Sequence, residues 1–127
     1  MKIAHIAIWT KDLEAMKDFY TRYFEGKSNE KYVNSATLFE SYFISFDDGA
    51  TLELMQKQSV TKPADTQEQL GITHIAFKLG SVEAVLSLTE TLRSDGYVVA
   101  GEPRTTGDGY FESVILDVEG NKIELLA

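Results

Sequence analysis

The chain has 127 residues, with 12 Lys and Arg set against 20 Asp and Glu, for a formal net charge of -8. That balance, without a basic cluster to offset it, repels a phosphate backbone and argues against nucleic acid as a partner. There is no cysteine, so disulfides, thiolate nucleophiles and thiolate metal ligands are excluded, and any metal must be held by His and carboxylate. No apolar run of about 18 residues and no basic–apolar leader is present, so no membrane partner is expected and the cytoplasm is the expected location.

In chain order, Lys2 to Trp9 ("KIAHIAIW") reads as a strand. Leu13, Met16, Phe19, Tyr20 and Tyr23 then recur at spacings of three and four, which predicts a helix from about Lys11 to Tyr23 with Thr10 or Asp12 as cap. "GKSNE" breaks it. Strands are expected near Tyr32, from Thr37 to Phe46 and from Ala50 to Gln56, with "DDG" as the turn between the last two. "KQSVTKPADTQEQLG" is polar, has no apolar period and reads as a linker of about fifteen residues.

The second half repeats this order. Ile72 to Leu79 is a strand, and Ser81 caps a helix that turns Val82, Val85, Leu88 and Leu92 inward and ends at Asp95-Gly96. Strands follow near Tyr97 to Val99, from Tyr110 to Asp117 and from Lys122 to Leu126, the last after a turn at "VEGN". The two histidines of the chain, His5 and His74, both sit in the triplet His-Ile-Ala, 69 residues apart. At the same offset Asp12-Leu13-Glu14-Ala15 lies over Ser81-Val82-Glu83-Ala84. At an offset of 71, Gly49 to Leu54 lies over Gly120 to Leu125, with a glutamate four residues after each turn glycine. Each half is therefore β-α-β-β-β, with a histidine on its first strand and a glutamate on its last.

Strand side chains alternate between faces. Ile6, Ile8, Leu52 and Leu54 in one half, and Ile75, Phe77, Ile123 and Leu125 in the other, are assigned to the helix side. His5, Trp9 and Glu53, and His74, Lys78 and Glu124, then fall on the opposite faces. A lone histidine on a strand is most often structural, and a lone glutamate between leucines is most often a solvent-facing residue. The repeat argues otherwise here, because it puts each type at one structural location twice. Two imidazoles and two carboxylates suit Zn²⁺, Ni²⁺, Co²⁺, Mn²⁺ or Fe²⁺, with positions left for water or substrate.

The stretches "HIAI…DLEAMKDFY", "ATLELM", "GITHIAF" and "LDVEGNKIELL" resemble the glyoxalase I family, within the vicinal oxygen chelate superfamily, over nearly the whole chain. The resemblance implies an α+β fold of two tandem βαβββ modules whose curled mixed sheets surround a metal cavity. The chain would then be one such domain over 1–127, with modules at about 1–57 and 71–127 and a linker at about 58–70. It also implies that His5, Glu53, His74 and Glu124 are the metal ligands, and that the chain is a homodimer whose sites draw ligands from both subunits. The implied reaction converts the hemithioacetal of a 2-oxoaldehyde and a thiol into the thioester of a 2-hydroxy acid. Glu124 matches the family's base, and Glu53 is its symmetry-related counterpart.

Two positions depart from the glutathione-dependent pattern. Trp9 stands where an arginine would hold a glutathione carboxylate, and Lys57 stands where an asparagine is expected. Trp9, Lys57, Arg104, Tyr110 and Phe111 are the candidate substrate contacts, the last two in "TTGDGYFES", which resembles the mobile loop over family active sites. The same superfamily holds extradiol dioxygenases, thiol transferases acting on fosfomycin and drug-binding modules like the bleomycin-resistance proteins. The first two typically use two histidines and one glutamate, and the last generally lack a full ligand quartet.

Overall fold

A computed structural model describes residues 1–62, 71–107 and 109–127. Most of the expected linker and Asp108 of the expected loop lie outside the described residues. The chain divides into two compact units, Met1–Ala64 and Asp65–Ala127.

The first unit runs β1 (His5–Trp9), α1 (Leu13–Tyr23), β2 (Lys27–Ser28), β3 (Tyr32–Asn34), β4 (Phe39–Ser45) and β5 (Thr51–Lys57). Its sheet has the order β1-β5-β4-β2, with β3 also paired to β4. β1 runs parallel to β5, and the other pairs are antiparallel. The second unit runs β6 (His74–Lys78), α2 (Val82–Ser94), β7 (Val99–Thr105), β8 (Phe111–Leu116) and β9 (Lys122–Leu126). Its order is β6-β9-β8-β7, again with the first and last strands parallel. The fold is thus α+β, two βαβββ modules in tandem built on mixed sheets, with the short β2 and β3, both paired to β4, in the first unit where the second, among the described residues, has β7 alone.

The helices begin where their caps dictate. The Asp12 carboxylate accepts from the Ala15 N–H at 3.0 Å, so α1 starts at Leu13 rather than Lys11. Thr10 assists from outside, its hydroxyl accepting from the Asp12 N–H at 3.2 Å. Ser81 caps α2 in the same way through the Ala84 N–H at 3.1 Å. Such caps each contribute about 1 kcal/mol.

Leu13, Met16, Phe19 and Tyr20 of α1 are buried with Ile44, Leu52 and Leu54 on the sheet side. In the second unit Val85, Thr89 and Leu92 are buried with Ile115, Ile123 and Leu125. Fully burying one such aliphatic side chain contributes about 1.5–3 kcal/mol, so these rows sustain each core and leave the other sheet face free for chemistry. Val82, expected inward, is exposed, and Leu88 is only half-buried. The position that turns inward is Thr89, whose hydroxyl donates to the Val85 carbonyl at 2.6 Å and lies 2.7 Å from the Ser113 hydroxyl.

Other boundaries also differ from expectation. "GKSNE" ends the helix but supplies β2, because Gly26 lets the chain pass close under β4: a Cβ there would clash with Ile44 Cγ2 and lie 3.0 Å from the Tyr20 carbonyl. β4 starts at Phe39 instead of Thr37, because the Asn34 side chain accepts from the Ala36 and Thr37 N–H groups and turns the chain first. β7 extends to Thr105 through Pro103, which is tolerated because β7 is an edge strand with register shifts between Val99 and Arg104.

Candidate functional site

In the first unit, the parallel register sets Ala7 across from Glu53 and Trp9 across from Met55. Ile6 and Ile8 align with the buried Leu52 and Leu54, so His5, Ala7 and Trp9 share the open face with Glu53, Met55 and Lys57. His5 Nε2 lies 3.7 Å from Glu53 Oε2, with the imidazole half exposed and the carboxylate largely covered. Phe43, directly across from Glu53 on β4, sets its ring edge-to-face with His5 at 5.7 Å.

The second unit repeats the construction. Ala76 stands across from Glu124, and His74 Nε2 lies 3.2 Å from Glu124 Oε2. The other ring nitrogen, Nδ1, is 2.9 Å from the Thr73 hydroxyl. When Nδ1–H donates to that hydroxyl, Nε2 presents its lone pair toward Glu124, the arrangement a metal ligand needs. The turn that sends Glu124 onto this strand is held by Asp117, whose carboxylate accepts from the Glu119 and Asn121 N–H groups at 2.9 Å each.

The spacing within each pair bears on its fit to a divalent cation. Two adjacent ligands with bonds of about 2.1 Å lie about 3.0 Å apart in octahedral geometry and about 3.4 Å apart in tetrahedral geometry. The observed separations of 3.7 Å and 3.2 Å are close to that range. One imidazole nitrogen and one carboxylate oxygen suit the borderline first-row ions. Among the described residues no third His, Asp or Glu completes a cluster of three, so each pair supplies two adjacent positions and the rest need donors from outside it.

The remaining sequence candidates are placed unevenly. Trp9 is exposed on the His5 face, with its ring 6.1 Å from that of Phe39. Lys57 stands across from Phe39 and has no ion-pair partner among the described residues. Arg104 projects from β7, with Nη2 3.5 Å from Glu112 Oε1. Tyr110 is exposed in the short loop before β8, which is closed by the Thr106 hydroxyl accepting from the Tyr110 N–H at 3.1 Å. Phe111 has the parity of Ser113 and Ile115, and Ser113 meets Thr89 of α2, so Phe111 belongs to the helix side and is not brought to the His74 face.

Residues that the sequence reading left out also stand on these faces. Glu112 is buried and shares its face with Val114, the residue across from Glu124. Phe39, Phe43 and Tyr32 line the His5 face. The signal for the two phenylalanines was β4 itself: in "FESYFIS" both parities carry aromatic residues, which a sheet face exposed only to water would not require.

The family model described as Glyoxalase/Bleomycin resistance protein/Dioxygenase superfamily matches residues 2–125. An uncharacterized protein of Bacillus subtilis (strain 168), YqjT, is 28% identical over 127 residues, covering 97% of this chain and 96% of that one. Among solved structures, glyoxalase I from Zea mays is 22% identical with a TM-score of 0.80, and covers 98% of this chain; this chain spans only 44% of that one. A glyoxalase family protein from Enterococcus faecalis is 21% identical with a TM-score of 0.80, covering 99% of this chain and 97% of its own. The trypanothione-dependent glyoxalase I of Leishmania major is 22% identical with a TM-score of 0.78, covering 99% of this chain and 86% of its own. At these identities the structural likeness is one of fold. The match of the family model along nearly the full length shows that the chain belongs to the glyoxalase/bleomycin resistance protein/dioxygenase superfamily.

Proposed function

We propose that this protein is a metal-dependent isomerase of the glyoxalase I type, converting the hemithioacetal of a 2-oxoaldehyde and a thiol into a 2-hydroxy acid thioester. The observation that carries the reading is the double occurrence of one construction: a histidine on the first strand facing a glutamate on the parallel last strand. His5, Glu53, His74 and Glu124 are the proposed ligands of one divalent ion, with Zn, Ni or Co favoured and Mn or Fe as further candidates. In a homodimer, His5 and Glu53 of one subunit would meet His74 and Glu124 of the other. Both imidazoles are about half exposed within their own units, which leaves room for such a partner face.

The ion, when bound, supplies Lewis-acid stabilisation of negative charge that develops on substrate oxygen. The chain's own part is proton transfer. Glu124 takes the proton from the carbon bearing the sulfur and delivers it to the neighbouring carbonyl carbon. The first carbon ends as the thioester carbonyl, the second as the secondary alcohol, and no external oxidant or reductant is consumed. Glu53 is the second candidate for this base. Trp9, Lys57, Arg104 and Tyr110 are the proposed substrate contacts. Thiol-dependent chemistry suits a reducing compartment, and the cytoplasm is the proposed location.

The test is thioester formation from methylglyoxal with a panel of thiols, each with added Ni²⁺, Co²⁺ or Zn²⁺. Chelator-sensitive turnover with at least one thiol is expected, weak with glutathione because Trp9 and Lys57 replace its expected partners. One lost charged hydrogen bond costs about 1.5–3 kcal/mol, on the order of ten- to a hundredfold in affinity. No turnover with any thiol, in protein shown to hold metal, would reject the reading.

A further inference from the structure

The open face of the first sheet carries a cluster of rings one sheet row beyond the Glu53 carboxylate. Trp9 is across from Met55, Met55 from Ser41, and Ser41 from Tyr32. Phe39 lies in the next row, across from Lys57 on one side and Asn34 on the other. The Phe39 ring is 6.1 Å from that of Trp9 at 89°, and 6.1 Å from that of Tyr32 at 58°. Neither contact stacks ring face on ring face, and Trp9 and Tyr32 remain 45% and 53% exposed. Single exposed apolar residues are ordinary, whereas a contiguous exposed patch is characteristic of a binding site.

Lys57 gives the patch its polarity. In a chain of net charge -8 it is a cation at the edge of an aromatic cluster, and no acidic side chain pairs with it among the described residues. A ligand that satisfies this surface is flat and apolar where it meets the rings and anionic where it meets the ammonium. A second copy of the chain docking through the same patch would bring one Lys57 against a surface that already holds another.

We propose that Trp9, Phe39, Tyr32 and Lys57 form a subsite for a small aromatic carboxylate, with the aromatic group on the rings and the carboxylate on Lys57. The inference deepens the isomerase reading and rests on it for the reaction, though not for binding: the preferred hemithioacetal then carries an aromatic acid on its aldehyde or thiol portion.

Trp9 is the one tryptophan of the chain, so emission excited beyond the tyrosine absorption band reports on this patch alone. Chelator-treated full-length protein is titrated with benzoylformate, with pyruvate, which lacks the ring, and with benzoylformamide, which lacks the charge. Saturable change in Trp9 emission with benzoylformate is expected, with benzoylformamide about tenfold weaker or more, the lower end for one charged hydrogen bond, and pyruvate weaker by the contribution of the ring it lacks. Lys57→Gln, a change at the sheet surface, should abolish the preference for benzoylformate over the amide. Phe39→Ala should weaken benzoylformate about two- to tenfold, the span of an aromatic pair. Equal responses to benzoylformate and pyruvate, no saturable response, or an unchanged preference in Lys57→Gln would overturn the proposal. So would Trp9 emission that follows protein concentration and ignores ligand, since a second copy would then cover the patch. Benzoylformate binding without hemithioacetal turnover would sink the isomerase reading alone, and turnover without such binding the subsite alone.

Discussion

His74 Nε2 faces Glu124 Oε2 at 3.2 Å from a neighbouring strand that runs in the same direction. In a parallel pair the side-chain rows stay in step, so a histidine and a glutamate two residues out of register lean toward each other on one face. The His5–Glu53 pair obeys the same rule at 3.7 Å. Replacing either histidine removes a proposed ligand without opening a core. His5→Ala and His74→Ala are expected to lose stoichiometric metal by elemental analysis, while stability changes by about 0.5 kcal/mol or less, as for surface positions. Metal content equal to that of the unaltered protein would refute the ligand assignment.

Sharing of the site between subunits is tested by mixing His5→Ala chains with Glu124→Ala chains. On the proposed sharing, a mixed dimer holds one intact site and one doubly damaged site. Metal binding is expected to reappear after subunit exchange, in proportion to the mixed dimer. Sites closed within one chain would stay damaged in every dimer and recover nothing.

Glu124→Gln keeps an oxygen at the proposed ligand position and removes the proposed proton acceptor. Turnover is expected to fall by about two orders of magnitude or more, with bound metal largely retained. The parallel change Glu53→Gln shows whether the base duty is shared. An equal loss in both variants would assign it to the pair, and no loss in Glu124→Gln would move it off this residue.

The first unit also carries a charge network on its helix side. Glu14 receives Lys31 Nζ at 2.7 Å and Lys17 Nζ at 3.0 Å, and the Tyr42 hydroxyl donates to it at 3.1 Å. These contacts, Lys31 foremost, hold its carboxyl down to about 2 from an ordinary 4.5. An acid with a depressed value stabilises the fold fully above its ordinary value and loses that contribution as pH falls through the depressed one. The stability gap between the natural protein and Glu14→Gln should therefore be constant above pH 4.5 and close as the pH falls toward 2. Glu14 is half exposed, so the gap should be about 1 kcal/mol or less, as for solvent-screened pairs. Denaturant titrations across that pH range measure it, and a gap that widens in acid would contradict the network.

Thr89 and Ser113 form a hydroxyl pair inside the second core. Thr89 spends its proton on the Val85 carbonyl, so Ser113 is the donor between the two. Thr89→Val would leave a buried donor unsatisfied at a cost of about 1–3 kcal/mol. The double variant Thr89→Val with Ser113→Ala should cost less than the two single changes combined. Additive costs in chemical unfolding would show that the hydroxyls do not depend on each other.

The periodicity of Leu13, Met16, Phe19 and Tyr20 was enough to place α1, and the alternation around Glu53 and Glu124 was enough to place the last strand of each module. Both patterns are local. The facing of histidine and glutamate was visible only as shared parity, because their approach depends on a register set by strands about fifty residues apart. Phe39 was hidden because its partners Trp9, Tyr32 and Lys57 come from three different strands. Phe111 was taken as a candidate with the loop before it, whereas its parity with Ser113 sets it on the helix side of β8. Val82 was read as inward because it opens an apolar stripe, yet the first residue after a cap has no turn before it to press it onto the sheet.

The pairing of first with last strand also governs how each module is completed. β1 has no partner until β5 has been made and folded back, and the same holds for β6 and β9. That contact encloses the largest loop in its module and carries the greatest closure entropy, so it belongs with the slow, non-local events of folding. Histidine and glutamate come into reach only with that contact. A cation that both residues hold would act as a clasp between the two ends of the module. Bound to the folded form alone, it would raise stability by mass action, and if the contact forms after the transition state, its mark would be slower unfolding with little change in folding rate.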